Sequence, residues 1–265
     1  MGNENSIADS GALSPVNVNI RSIGPGEIRK ALANGLADFE AMPTHLIFLC
    51  LVYPIVMLLF VRAYAGYDVL PLIFPLLAGY TLIGPLVATA MYELSRRREK
   101  GLNTSRWKAL HVLQRHAIRS IGLLGLLLMV IYIAWLFTAL DLWENRFGTV
   151  APVSVNEFLT QVFLTEDGWE LMMVGSGVGF LFATVVFTLS VVSFPMLMDQ
   201  DVGVVIAVTT SIRAVFANPV TMGMWGFIVA ATMFIGALPF FVGLAVALPV
   251  IGHATWHLYR KTVEF

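Results

Sequence analysis

The stretch from Thr221 to His257 is apolar almost without interruption, and it cannot be one helix in a membrane. As a single helix its 37 residues would be roughly 55 Å long, at about 1.5 Å per residue, while a hydrocarbon core is about 30 Å thick. The chain must turn within it. Gly236-Ala-Leu-Pro239 is the expected place, because Gly and Pro together end a helix. Two spans follow from this, near 220–236 and 238–258.

Nor can the stretch be hidden inside a soluble fold. The chain is 58% hydrophobic and 12% charged, against about 45–50% and about 25% in soluble domains. Lipid must be the solvent for much of its surface. Four further apolar runs are long enough to cross a bilayer: His45–Tyr64, Leu70–Leu94 (with Pro71, Pro75 and Pro85), Ile121–Leu140 and Met172–Met198. Six crossings are expected in an all-α, polytopic membrane helix bundle. Residues 1–26 read as a flexible tail and 27–265 as a single membrane domain. Residues 1–44 have no apolar core near the start, which predicts no cleavable signal peptide.

Charge gives the expected orientation. Between Leu94 and Arg119 lie Arg96, Arg97, Arg98, Lys100, Arg106, Lys108, Arg115 and Arg119 against Glu99 alone. Between Asp141 and Leu171 the bias reverses, with Asp141, Glu144, Glu157, Glu166, Asp167 and Glu170 against Arg146. Lys/Arg-rich loops stay cytoplasmic, so both termini are expected on the cytoplasmic side.

Shorter amphipathic patterns precede the odd-numbered spans. Ile28, Leu32, Leu36 and Phe39 share one helical face; so do Val202, Val205, Ile206, Thr209, Ile212 and Phe216. Trp107, Leu110, Gln114 and Ala117 form a rougher third case. Their period suits helices lying in the interface, apolar face down. Val155, Phe158, Leu159, Val162 and Phe163 form a fourth pattern on the opposite side, opened by the capping-box sequence Ser154-Val-Asn-Glu157. The layout predicts three interfacial-helix-plus-hairpin units, near 27–95, 103–198 and 202–260. The first and last also agree in residues. Pro85-Leu-Val-Ala-Thr-Ala-Met-Tyr-Glu-Leu-Ser-Arg96 sets against Pro249-Val-Ile-Gly-His-Ala-Thr-Trp-His-Leu-Tyr-Arg260, and Ala41-Met-Pro43 against Ala217-Asn-Pro219. Parallel repeats are an established plan in membrane proteins.

Functional candidates are few. His253 and His257 lie four apart, on one helical face, with Glu93 at the pseudo-equivalent end of the second span. The trio admits a haem or transition-metal site. The plain alternative is a repeated helix ending, with interfacial aromatics Trp256 and Tyr259 and the cationic cap Arg260-Lys261, which needs no cofactor. Tyr80, Thr81, Thr89 and Thr255, with Glu93, would line any cavity between the second and sixth spans, as a transporter or channel for a small or lipid-like molecule requires. No span carries a carboxylate at its middle, which argues against proton-coupled transport. Gly175-x-x-x-Gly179 is a close-packing face. Asp199 and Asp201 flank Gln200, with Asp201 expected to cap a helix starting at Val202. The single cysteine, Cys50, excludes an intrachain disulfide and a Cys-based metal cluster, and the net charge of −1 gives no electrostatic case for nucleic acid. No nucleophile–base pairing or phosphate loop emerges, so no enzymatic activity is expected.

Two stretches carry a resemblance: Phe194-Pro-Met-Leu-Met-Asp-Gln-Asp-Val-Gly203 running into Thr209-Thr-Ser-Ile-Arg-Ala-Val-Phe-Ala-Asn-Pro219, and Leu248-Pro-Val-Ile-Gly-His-Ala-Thr-Trp-His-Leu-Tyr-Arg260. Together they resemble a family of proteobacterial integral membrane proteins, domain of unknown function 2189. The resemblance implies residence in the inner membrane. Some relatives are labelled as linked to cytochrome c oxidase. The packing faces, interfacial helices and lack of an ionisable centre give the expectation of a non-enzymatic structural or accessory role, as a subunit or partner of a larger, for instance respiratory, membrane complex. An oxidase catalytic subunit is not implied: His45, His111, His116, His253 and His257 are the whole histidine supply, and all lie near the cytoplasmic edge.

Overall fold

The computed structural model describes residues 18–42, 67–78, 80–104, 117–150, 152, 154–238 and 243–265. The expected span at 45–64 and the amphipathic pattern at 107–117, Ala117 excepted, lie outside the described residues. A two-residue strand β1 (Asn19–Ile20) leads into α1 (Pro25–Ala41), followed by a 3-10 turn (Tyr67–Leu72), α2 (Ile73–Ala78) and α3 (Tyr80–Glu99). Then come α4 (Ala117–Phe147), α5 (Val155–Leu164), α6 (Glu166–Ser190), α7 (Ser193–Asp199), α8 (Val204–Ala217), α9 (Pro219–Ala237), α10 (Leu244–Thr262) and β2 (Val263–Glu264).

Among the described residues, three helical stretches are long and apolar enough to cross a membrane: Ile118–Phe147, Glu166–Asp199 and Pro219–Ala237. They contain the expected third, fourth and fifth spans. Their outer faces carry large exposed apolar side chains, among them Leu126, Phe137, Phe180 and Phe227, as lipid-facing helices must. The long apolar stretch does turn after Ala237, and α10 resumes at Leu244. There an added Cβ on Gly243 would lie 2.7 Å from the Gly236 carbonyl oxygen, so the turn needs a hydrogen at that position. The region of the second expected span is divided: Pro71 sits in the 3-10 turn, α2 is six residues long, and α3 carries Pro85 inside it. Proline removes an N–H and clashes with the preceding turn, which breaks the helix where several occur together.

Helix ends follow local rules. At the end of α3, Gly101 takes φ +63°, with Leu102 N–H donating to the Arg97 carbonyl and Gly101 N–H to that of Arg98. This paired pattern is the Schellman ending, which favours glycine because of its left-handed backbone. At the opposite side of the bundle Ser154 caps α5 by accepting from Glu157 N–H at 3.1 Å. Trp143, Phe158, Val162 and Leu70 form a buried cluster there. The expected Asp201 cap is not formed: α8 begins at Val204 behind Gly203, whose extended backbone enters the helix without a side-chain bond.

α8 buries a different edge from the one its large apolar residues mark, and α1 buries an edge turned partly away from its own, although Ile28, Leu32 and Phe39 pack on protein. α1 buries Ile28, Ala31, Gly35 and Asp38, and leaves Leu36 exposed. α8 buries Ala207, Thr210, Ser211 and Ala214, and leaves Val205 and Phe216 exposed. Small side chains let the backbones approach closely, so the protein-facing edge is the one with least volume. α1 packs chiefly on α10, and α10 also packs on α3; α8 packs on α6 and α7. The chain ends are tied together. β1 and β2 pair antiparallel, Arg21 bridges Glu264, and Asn218 Oδ1 accepts from Ile23 N–H at 2.8 Å while its amide donates to the Arg21 carbonyl.

Candidate functional site: a polar layer where the helices end

The ends of α1, α3, α7 and α10 meet in a layer of charged and polar side chains. Its centre is Asp38, a carboxylate on the buried edge of α1. Arg98 of α3 donates to Asp38 Oδ1 at 2.6 Å and also to the Ala37 carbonyl at 2.7 Å. Ser95 Oγ lies 2.5 Å from Asp38 Oδ2, and His257 Nε2 lies 2.9 Å from the same oxygen. Ser95 Oγ is also 2.6 Å from His253 Nδ1. Burial raises the Asp38 carboxyl, but bonds from His257 and Ser95 outweigh it and hold the group below its ordinary value.

An ionised carboxylate only accepts, so the proton directions are fixed. The one Ser95 proton goes to Asp38, and Ser95 Oγ must then accept from His253 Nδ1–H. This tautomer leaves His253 Nε2 as a bare lone pair. His253 is fully buried, and Nε2 has no hydrogen-bond partner among the described residues. His257 has its Nε2–H committed to Asp38 and is partly exposed, so the two histidines differ in role although they share a face.

A second node surrounds Asp199, at the end of α7. Arg96 Nε is 3.4 Å from Oδ1; Arg260 and the Tyr259 hydroxyl each donate to Oδ2 at 3.2 Å, and Lys100 stands 3.9 Å away. Arg260 also donates to Glu99 at 3.1 Å, as does the Trp256 indole N–H. Glu93, buried in α3, accepts from Arg97 at 2.8 Å and faces Arg96 at 3.6 Å. Five cations therefore face the four carboxylates Asp38, Glu93, Glu99 and Asp199, and the layer is nearly neutral. A carboxylate kept at a buried helix end needs such partners, since desolvation of an unpaired one costs several kcal/mol per ion.

The structure thus brings Asp38, Ser95 and Arg98 to the histidines, while Glu93 is held by Arg97 and Arg96. Among the described residues no group of three His, Cys, Asp or Glu side chains is placed to hold a metal ion. Of the two histidines of the expected metal-binding trio, His253 is the one with a buried nitrogen, Nε2, that has no hydrogen-bond partner among the described residues. Thr89 is buried in α3, and Thr255 donates to the Ile251 carbonyl of its own helix at 2.7 Å. The side chains of Tyr80 and Thr81 lie outside the described residues. A Cβ on Gly179 would meet the Trp135 ring at 3.3 Å, whereas one on Gly175 would meet nothing within 4 Å.

Sequence reasoning passed over Asp38, Ser95 and Arg98 as participants. One signal was there to be read: Asp38 continues the stripe of Ala31 and Gly35, so an acid lies on the edge with the smallest side chains. An acid on a close-packing edge faces protein and needs a partner there.

No curated protein and no solved structure matches the chain. Residues 73–199, which run from α2 through the Asp199 node, match the model of the family described as "Predicted integral membrane protein (DUF2189)". Over this segment the chain is similar to a family of predicted integral membrane proteins, in keeping with apolar helices that leave their large side chains uncovered.

Proposed function

We propose that the protein is a non-enzymatic, structural or accessory component of the bacterial inner membrane, built from six spans in three units and held with both termini on the cytoplasmic side. The observation that carries this reading is the use to which the polar layer is put. Its ionisable side chains join α1 to α3 and α10, and α7 to α3 and α10. Such groups act as interhelical fasteners; a proton-coupled transport route would instead need an ionisable group at the middle of a span.

The three-unit plan draws support from packing. Setting Ala41-Met-Pro43 against Ala217-Asn-Pro219 also aligns Ala31 with Ala207, Gly35 with Ser211 and Asp38 with Ala214. All six of these residues are buried. Each of the two helices also docks on the return span of another unit: α8 on α6 and α7, and α1 on α10. Repeated around three units, that rule closes a ring. Arg96, Asp199 and Arg260, at the ends of the three return spans, then meet as two cations on one anion. An even number of crossings is favoured by the β1–β2 pair, which keeps the two chain ends on one side.

The reading is tested by extracting the full chain from its own membrane in mild detergent and identifying what comes with it in stoichiometric amount. A membrane complex, for instance a respiratory one, is expected. A lone chain that binds a small ligand would overturn the accessory role. A second reading, a haem- or metal-binding redox component, rests on the bare Nε2 of buried His253, whose other nitrogen is oriented by Ser95 and Asp38 as in a ligating histidine. An optical spectrum and metal analysis of the same preparation decide it: without a Soret band or bound metal the reading fails.

A further inference from the structure

The cations of the polar layer are consumed by carboxylates, yet two arginines on the neighbouring amphipathic helices are not. Arg29 of α1 and Arg213 of α8 are exposed, and neither has an ion-pair or hydrogen-bond partner among the described residues. Arg213 stands beside an uncovered apolar stripe, and Arg29 beside the uncovered Leu36. Arg213 is four residues from Thr209 and three from Phe216, so it rises from the edge of the stripe formed by Val205 (71% exposed), Thr209 and Phe216 (74% exposed). Arg29 is three residues from Leu32 and seven from Leu36 (46% exposed), again on adjoining turns. The opposite edge of α8 is buried against protein by small residues, so its stripe points away from the bundle; on α1, Ile28, Leu32 and Phe39 pack on protein and Leu36 is the stripe residue left uncovered.

What covers these stripes follows from continuity. α8 passes through Asn218 directly into α9, one of the membrane-crossing stretches, where Val220 and Phe227 are exposed in turn. The apolar surface of α8 therefore runs on into the lipid-facing surface of a span, and lipid that wets the second also wets the first. A helix so placed lies where acyl chains give way to headgroups. There the aliphatic stem of an arginine follows the apolar surface and its guanidinium reaches the phosphate layer, with a fork of donors matched to two phosphate oxygens.

We propose that Arg29 and Arg213 each bind the headgroup phosphate of a phospholipid, with preference for anionic lipid, and so anchor α1 and α8 in the plane of the membrane surface. The proposal rests on the reading of these two helices as interfacial. A cation near such a surface favours anionic lipid by about fivefold, so the two together set a measurable selectivity.

The test uses the full chain in mild detergent, with phosphatidylglycerol or phosphatidylcholine added in equal amounts and the bound lipid counted by native mass spectrometry. Wild type is expected to retain phosphatidylglycerol preferentially. R29Q and R213Q should each weaken that retention about fivefold, while R29K and R213K, which keep the charge, should lose less. Retention unchanged in the R29Q/R213Q double variant overturns the proposal. A separate measurement isolates the underlying reading: in a chain lacking Cys50, a spin label on F216C in bilayers reports its depth. A label at the headgroup boundary together with unchanged retention sinks phosphate binding but leaves the interfacial helix standing. A label fully in water sinks both. Equal thermal stability of the four single variants in detergent excludes misfolding as the source of lost lipid, because both side chains are exposed.

Discussion

Gly35 and Ala254 are in backbone contact: a Cβ added to Gly35 would lie 2.6 Å from the Ala254 amide nitrogen and 2.7 Å from its Cβ. The obstructing atoms belong to backbone and to the shortest of side chains, so no rotamer change relieves the clash. Gly35→Ala is expected to force α1 off α10 and to cost roughly 1–3 kcal/mol, the usual range for overpacking. Gly26→Ala, on the same helix, meets nothing within 4 Å and should be neutral or stabilising by up to about 1 kcal/mol, through helix propensity. Thermal unfolding of both variants in one detergent checks the contrast. Equal midpoints would show that the α1–α10 contact is not tight.

Asp38 provides a pH signature. Its folded carboxyl titrates below its unfolded value of about 3.9, so its stabilisation is fully present above about pH 4 and is lost as pH falls through the lower folded value. Asp38→Asn removes that contribution. The gap in melting temperature between wild type and Asp38→Asn should be widest near neutrality and shrink toward pH 3. A gap independent of pH would mean that Asp38 is not held as the anion.

Ser95→Ala takes away the hydroxyl between Asp38 and His253, strands the buried His253 Nδ1–H and removes one of the bonds to Asp38, at a cost of about 1–3 kcal/mol. If the chain works as a unit, Ser95→Ala and Asp38→Asn together should cost clearly less than the sum of their separate effects. Additive losses in that double-mutant cycle would separate the two residues.

Asp199→Asn leaves Arg96 and Arg260 without their shared anion and should destabilise by about 1–3 kcal/mol, moderated because Arg260 is part-exposed. Glu170→Gln breaks a surface pair with Arg146 and should change stability by less than about 1 kcal/mol. The comparison is made by denaturation at low and high salt; the second variant alone should converge on wild type as salt rises.

The side of the membrane occupied by each end is open to labelling. In a chain lacking Cys50, cysteines at Ser22 and Phe265 should react with an impermeant maleimide from the same face, since β1 and β2 are paired beside them. A cysteine at Val150, in the exposed turn after α4, should react from the other face. Labelling of positions 22 and 265 from opposite faces would rule out an even number of crossings.

Much of the helix plan was legible because burial in lipid needs long apolar runs, and such runs are visible one residue at a time. Ile121–Leu140 falls inside α4 and Met172–Met198 inside the stretch from α6 to α7. Bilayer thickness required a turn in the last apolar stretch, and Gly236 with Pro239 marked its place. Contacts between distant segments were not legible. Apolar periodicity found the faces of α1 and α8 that carry Leu36, Val205 and Phe216, but the edges that pack on protein are those of Ala31, Gly35 and Ser211, whose small volume gives no hydrophobic signal. The histidine pair was visible; that Ser95 and Asp38 would stand beside it depends on α1 crossing α10 at Gly35, and spacing within one helix cannot reveal that.

The union of α1 with α10 also orders events at the ribosome. Among the described residues, the earliest helix in the chain has as its chief neighbour the latest one, and the strand that precedes it finds its partner only at Val263 and Glu264. Until those residues have been made, the Asp38 edge has no α10 to dock on. Docking of α1 therefore follows the synthesis of Val263 and Glu264, and deleting β2 should leave α1 unfastened on an otherwise inserted chain.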